Sequence, residues 1–229
     1  MTGRTDLWIP DDFGTYVTAD TPEDYFLNVL SPAALSADEI STQVPILMYH
    51  HLSEDVTNSE MVSPEQFEAQ IRALSEAGYT GVSFDELQAY VLRGEPLPEK
   101  PVVITFDDGY RSNYTLAYPI LQKYNMKAAI FVIGVSFGKD HYKDTDYTIT
   151  PHFGAAEAAE MAASGLISIQ SHTYDMHQWL PYETGSAVRE NILPLPGESE
   201  EAYVQTLTED FTRSRAQLES ATGQPVDVL

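Results

Sequence analysis

Hydrophobic and polar positions alternate along residues 44–229 in a way that predicts short strands separated by helices. The apolar runs typical of strands are VPILMY, YTGVS (the weakest), VVITF, KAAIFVIG, LISIQS and PVDVL. Between them lie segments with apolar residues at helical spacing. Strands that alternate with helices favour a parallel sheet covered by helices. The pattern therefore predicts an α/β fold of about six strands, either barrel-like or doubly wound.

Capping residues mark where the first helices begin. Ser63 and Ser83 are each followed three residues later by Gln66 or Glu86, which is the arrangement of a capping box. A third helix is predicted over residues 111–124, where Pro119 is expected to introduce a kink. Two more are predicted, a short one over residues 155–164 and a long one that ends at Gly223. In the long helix one apolar stripe is expected, formed by Val204, Leu207, Phe211 and Leu218.

The regular pattern begins at residue 44, so the chain is expected to divide there. Residues 1–43 are interpreted as an N-terminal extension with a short helix that begins after Thr21 and packs outside the main domain. Residues 44–229 are interpreted as one α/β domain. A long polar loop is expected between the strand LISIQS and the last helix.

Composition narrows the classes of partner. The chain has 12 Lys and Arg against 35 Asp and Glu, which gives a formal charge of −23 at pH 7. That field disfavours nucleic acid and anionic membrane surfaces and suits a neutral or cationic substrate. The chain has no cysteine, so a metal would need nitrogen and oxygen ligands. No apolar run reaches the roughly 18 residues of a membrane span, and no export signal is recognised.

Two carboxylates and two imidazoles follow two of the strongest strand patterns. Asp107 and Asp108 come directly after VVITF, and His172 comes directly after LISIQS, with His177 close behind. Because the carboxyl ends of parallel strands meet at one edge, these side chains are expected to lie together. His172 and His177 are too far out of helical register to share a face, so they would converge across a loop. The alternative is a polar Asp-Asp-Gly turn and structural histidines.

Three segments resemble a known family. TFDDGY resembles the first motif of the polysaccharide deacetylases, the NodB-like family 4 carbohydrate esterases, and SHTYDMH resembles their second. LMYHHL resembles the opening of the branch that acts on poly-β-1,6-N-acetylglucosamine. The resemblance covers roughly residues 44–229. It implies a NodB-like deformed (β/α) barrel that is C-terminally incomplete, because the family's later motifs are not found.

The resemblance also implies roles for individual residues. Asp108, His172 and His177 would bind one divalent metal ion, Zn²⁺ in the first place, with Co²⁺, Ni²⁺ or Fe²⁺ as alternatives. Asp107 would be the general base.

The positions of several other aromatic and histidine residues suggest further roles. His50 is expected either to contact substrate or to have a simple packing role, and Tyr110 is expected to line the substrate pocket. Trp179 is expected either to stack on a sugar or to belong to the core. His51, His141 and His152 are expected at the surface or in loops.

The implied reaction is metal-dependent N-deacetylation of a polysaccharide that contains N-acetylglucosamine, with release of acetate. O-acetyl ester hydrolysis and a catalytically silent glycan-binding domain are the alternatives. The oxyanion-hole amide and the late histidine that serves as general acid in this family are not found. The resemblance further implies a secreted or cell-surface protein, with self-association through the open side of the barrel.

Overall fold

The computed structural model describes residues 44–183 and 188–229. The extension predicted for residues 1–43 lies outside the described residues. The strands are β1 (Ile46–Tyr49), β2 (His51–Leu52), β3 (Met61–Val62), β4 (Thr80–Gly81), β5 (Pro101–Phe106), β6 (Ala128–Val132) and β7 (Ile167–Ser171). The helices are α1 (Pro64–Glu76), α2 (Phe84–Arg93), α3 (Tyr118–Tyr124), α4 (Ala155–Ala163) and α5 (Glu200–Thr222). Short 3₁₀ turns lie at Gly134–Ser136 and Leu180–Tyr182, and a π-helical turn at Asn113–Ala117.

Five strands form one parallel sheet, in the order β1-β5-β6-β7, with β4 paired to the first residues of β5. β2 and β3 form a separate parallel pair. The α/β class predicted from the sequence is confirmed. Because β5, β6 and β7 are parallel neighbours, their carboxyl ends open at the same edge of the sheet.

The predicted sixth strand, PVDVL, is not a strand. Its backbone runs beside β7, but the Gln170 side chain takes the place of a regular ladder. Gln170 Oε1 accepts hydrogen bonds from the backbone N–H groups of Asp227 and Val228, both at 3.0 Å. The N–H of Ser171 donates to the carbonyl of Val228 at 3.3 Å.

The core lies between the sheet and its helices. Every residue of β5 and β6 is buried. From α1, the buried side chains of Phe67, Ile71 and Leu74 pack into this core, and the ring of Phe67 lies 5.5 Å from that of Phe106. Both predicted capping boxes are present, at Ser63 and Ser83.

The helix predicted over residues 111–124 is divided. A π-helical turn at Asn113–Ala117 precedes α3, and Pro119 lies in the first turn of α3. Residues 111–124 are helical throughout, but the N–H of Tyr118 donates to the carbonyl of Asn113, five residues earlier, so the regular hydrogen-bond pattern is interrupted just before Pro119.

The apolar stripe expected on α5 is only partly correct. Leu218 is buried, but Val204 is 53% exposed. None of the helices in the described ranges is both long and apolar enough to cross a membrane.

Candidate metal centre and active site

The end of β5 carries the two aspartates. The N–H of Asp107 donates to the carbonyl of Tyr49 at 2.9 Å, so the ladder with β1 continues for one residue. Asp108 then adopts a left-handed conformation with φ of 70°, and Gly109 follows with φ of 82°. Such a backbone is costly for a residue other than glycine and is typical of functional sites. Because the backbone turns at Asp108 and Gly109, the neighbouring carboxylates of Asp107 and Asp108 face different partners.

The end of β7 carries the two histidines. The N–H of His172 donates to the carbonyl of Val132 at 2.9 Å, which fixes the start of the loop against β6. Thr173 has φ of 70°, a strained conformation for a β-branched residue. The loop returns so that the rings of His172 and His177 lie 5.2 Å apart. The two imidazoles converge across a loop, as their spacing predicts.

One carboxylate and both imidazoles form a possible metal site. Ligand atoms of Asp108, His172 and His177 all lie within 4.8 Å of one another. Oδ1 of Asp108 is buried without a hydrogen-bond partner, and Nε2 of His172 is 3.6 Å away, beyond hydrogen-bond length. A buried carboxylate oxygen without a donor is unfavourable unless a cation compensates it. One oxygen and two nitrogen ligands suit Zn²⁺ and similar ions with open positions, so the residues fit the implied metal.

Burial shifts the pKa values of two groups at this site in opposite directions. It lowers the pKa of His172, which favours the neutral imidazole that can bind a metal. It raises the pKa of Asp107, whose side chain is largely buried beside the cluster.

His50 faces the same site from β1. Its Nε2 lies 3.9 Å from Oδ2 of Asp107. The carbonyl of His50 accepts a hydrogen bond from Nδ2 of the fully buried Asn113 at 2.7 Å, so the π-helical turn fixes its backbone. No local sequence pattern marks Asn113, because its role depends on the π-helical turn that brings its side chain to the His50 carbonyl.

Tyr110 lies in the wall of the site. Its ring packs between those of His51 and His152, at 5.1 and 4.9 Å. Burial and the neighbouring Asp108 raise the pKa of the Tyr110 hydroxyl. His152 was expected at the surface or in a loop; it lies in the loop before α4 but is only 8% exposed, and burial lowers its pKa to about 4. It fills the space behind Tyr110.

An aromatic cluster lies just beyond His177. Trp179 is 57% exposed, so the core role considered for it is wrong. The Tyr182 ring lies 4.9 Å from Trp179 and 4.7 Å from Tyr147, edge-on to the first and stacked on the second. Flat, partly exposed rings beside a site suit the apolar faces of sugars.

Residues 94–229 match the polysaccharide deacetylase family. The chain belongs to this family. The match contains Asp107, Asp108, His172 and His177, and leaves out His50, the residue after β1. Membership confirms the family predicted from the sequence, the polysaccharide deacetylases.

Curated polysaccharide deacetylase relatives are longer than this chain. It is 42% identical over 137 residues to YxkH of Bacillus subtilis, which covers 60% of this chain and 44% of that protein. It is 33% identical over 143 residues to the poly-beta-1,6-N-acetyl-D-glucosamine N-deacetylase of Escherichia coli K12, and this match covers 57% of this chain and 20% of that protein. For the Staphylococcus aureus MRSA252 protein of the same name, identity is 32% over 130 residues, covering 57% and 43%. The chain matches less than half the length of each.

Solved structures confirm the NodB-like fold. A de-N-acetylase from Aggregatibacter actinomycetemcomitans aligns with a TM-score of 0.67 and 26% identity, covering 80% of this chain and 76% of that one. IcaB from Ammonifex degensii aligns with a TM-score of 0.64 and 28% identity, covering 80% and 71%.

Proposed function

We propose that this chain is the deacetylase unit of a metal-dependent hydrolase that removes N-acetyl groups from a poly-β-1,6-N-acetylglucosamine-like polysaccharide and releases acetate. The observation that carries the proposal is the convergence of two carboxylates and two imidazoles at the ends of β5 and β7. The names of the Escherichia coli and Staphylococcus aureus relatives support the N-acetyl bond and the β-1,6 glycan.

Asp108, His172 and His177 hold the metal ion, for which Zn²⁺ is the first choice. Three protein ligands are the number found in catalytic zinc sites, where such a set would leave a position for water. When bound, the ion supplies Lewis acidity toward the acetamide carbonyl oxygen and activates water.

Asp107 and His50 move the protons. Asp107 accepts a proton from the attacking water, because its carboxylate lies beside the metal site without belonging to it. As the carbon–nitrogen bond breaks, protonated His50 donates a proton to the leaving amine. The products are acetate and the free amine of glucosamine.

The proposal that His50 donates the proton replaces the expectation that the general acid is absent. The sequence resemblance implied a late histidine, and residues 178–229 contain no histidine. His50 offers an imidazole 3.9 Å from Asp107 in its place, held by the hydrogen bond from Asn113 to its backbone.

Substrate is held by the groups around this centre. Tyr110 forms part of the wall, and the rings of Trp179, Tyr147 and Tyr182 offer a stacking surface for neighbouring sugars. An extracellular polysaccharide substrate places the protein outside the cytoplasm or on the cell surface. The proposal also keeps the division of the chain into an extension over residues 1–43 and a domain over residues 44–229. It further includes the self-association of copies of the chain.

The test is acetate release after loading with Zn²⁺ or Co²⁺. The substrates are β-1,6-linked and β-1,4-linked N-acetylglucosamine oligomers and acetylated xylan, with His177→Ala as control. We expect acetate and an equal amount of free amine from the β-1,6 oligomer, and none from the control. Acetate from xylan alone would contradict the N-deacetylase assignment and indicate an esterase. Glycan binding without acetate from any substrate would indicate a silent binding domain.

A further inference from the structure

The loop that joins the two histidine ligands is held by α5. The carboxylate of Asp210 accepts two backbone hydrogen bonds from this loop. Its Oδ1 accepts from the N–H of Tyr174 and its Oδ2 from the N–H of Asp175, both at 2.7 Å. Two short, charge-assisted bonds to successive amides fix both the position and the orientation of that segment.

The same segment is held from the other side by the 3₁₀ turn after β6. The N–H of Gly134 donates to the carbonyl of Thr173 at 3.0 Å, and that of Val135 donates to the carbonyl of Tyr174 at 2.9 Å. Donors and acceptors of the loop backbone are therefore satisfied by two different elements. From α5, Asp210 accepts the hydrogen bonds of the loop N–H groups.

The loop needs such support because its backbone is strained. Thr173 has φ of 70°, which a β-branched residue adopts only when its surroundings enforce it. The guanidinium carbon of Arg213 lies 3.9 Å from the centre of the Tyr174 ring, so α5 also covers the side chain beside the two amides. Loss of the Asp210 bonds would leave two amides without partners and free the segment between the ligands.

We propose that Asp210 is a positioning residue that sets the separation and orientation of His172 and His177, and so the affinity of the metal centre. The inference rests on the metal site of the proposed function. Among the described contacts, the Asp210 carboxylate bonds only to the backbone N–H groups of Tyr174 and Asp175, so it acts on the ligands through that backbone. Supporting residues of this kind contribute about 10- to 100-fold to metal affinity.

The test compares Asp210→Asn with Glu209→Gln. Both changes are isosteric and both remove one negative charge from neighbouring positions of α5. Glu209 is exposed and accepts a bond only from Gln205 of its own helix, at 2.8 Å, as far as the described contacts go. Dissociation constants for Zn²⁺ and Co²⁺ are measured by competition with a chromophoric chelator, and unfolding of the metal-free proteins is measured in urea with EDTA.

We expect Asp210→Asn to bind metal about 10- to 100-fold more weakly than the wild type, and Asp210→Ala more weakly still, because Asn keeps one acceptor and Ala none. Glu209→Gln is expected to stay within about twofold. If Asp210→Ala does not fold, the comparison of Asp210→Asn with Glu209→Gln decides.

Two outcomes would overturn the inference. Unchanged metal affinity in Asp210→Asn, with or without lower stability of the metal-free protein, would make Asp210 a purely structural residue. A wild-type protein that binds neither ion would overturn this inference together with the metal site of the proposed function. The wild-type measurement therefore separates the two failures.

Discussion

Asp107 and Asp108 are neighbours in the sequence but have different partners, since Asp107 faces His50 and Asp108 faces His172. Loss of the general base should lower turnover, whereas loss of a metal ligand should lower metal affinity. Asp107→Asn is expected to keep its metal and to lose about 10²- to 10⁴-fold in turnover. Asp108→Asn is expected to lose metal affinity itself. Metal content by elemental analysis and acetate release are measured on the same preparations. Equal metal loss in both variants would contradict this division of roles.

The assignment of the proton donor predicts the effect of changing His50. His50→Gln should retain metal and lower kcat by about 10²- to 10⁴-fold. His141→Gln is the control, because His141 is about half exposed and bonded to Asp140 at 2.8 Å. Steady-state acetate release is the measurement, and a kcat close to that of the control would exclude His50 as the donor.

The residues that could be found from sequence are those that directly follow a strong strand pattern. Asp107, Asp108 and His172 stand one or two residues after β5 and β7, so the rule for parallel sheets brings them together. The proton-donor role of His50 could not be found in this way, because it requires knowing that β1 lies next to β5. Asp210 gives no signal at all, since it is one acidic residue among several on α5.

At the scale of elements, the 3₁₀ turn after β6 packs closely against the loop between His172 and His177. This contact can be tested by adding one methyl group at Gly134. A Cβ on Gly134 would lie 2.4 Å from Cδ2 and 3.0 Å from Cα of Tyr174. Gly134→Ala is expected to lower the free energy of unfolding by about 1–3 kcal/mol, because one of the two elements must move. It should also weaken metal binding, because Tyr174 lies between the ligands.

The control for this change is Gly154→Ala. There the new Cβ would meet only Cα of Gly138, at 3.4 Å, and the backbone is extended. Urea unfolding of the two variants is compared with that of the wild type. Equal stability of both would show that the loop adapts freely to the turn.

Elements defined by local signals were predicted well, and those defined by tertiary contacts were not. Ser63 and Ser83 begin helices where expected, because a capping box is complete within four residues. The π-helical turn at Asn113–Ala117 was missed, and it contains Asn113, which bonds to the distant backbone of His50. PVDVL was predicted as a strand, but the side chain of Gln170 on β7 accepts the hydrogen bonds of the Asp227 and Val228 N–H groups that a strand would use for pairing.

At the scale of the whole molecule, the charge of −23 should distinguish substrate from product. Deacetylation replaces a neutral amide with a cationic amine, which an acidic surface attracts. Higher ionic strength is therefore expected to weaken the binding of partly deacetylated glycan more than that of fully acetylated glycan. Affinities measured with the slow variant Asp107→Asn at about 0.05 and 0.5 M salt test this. The same salt dependence for both glycans would refute the electrostatic argument.

The two ligand-bearing strands, β5 and β7, are not neighbours, because β6 runs between them. In a chain without cysteine, an ion shared by Asp108, His172 and His177 would act as a cross-link between distant parts of the sequence. Only the folded chain brings these ligands together, so by thermodynamic linkage free metal at a hundredfold its dissociation constant adds about 2.7 kcal/mol to stability. Adding EDTA should lower the Tm of the wild type and leave His177→Ala unchanged. The catalytic ion would then do for this fold what a disulfide does for a secreted domain.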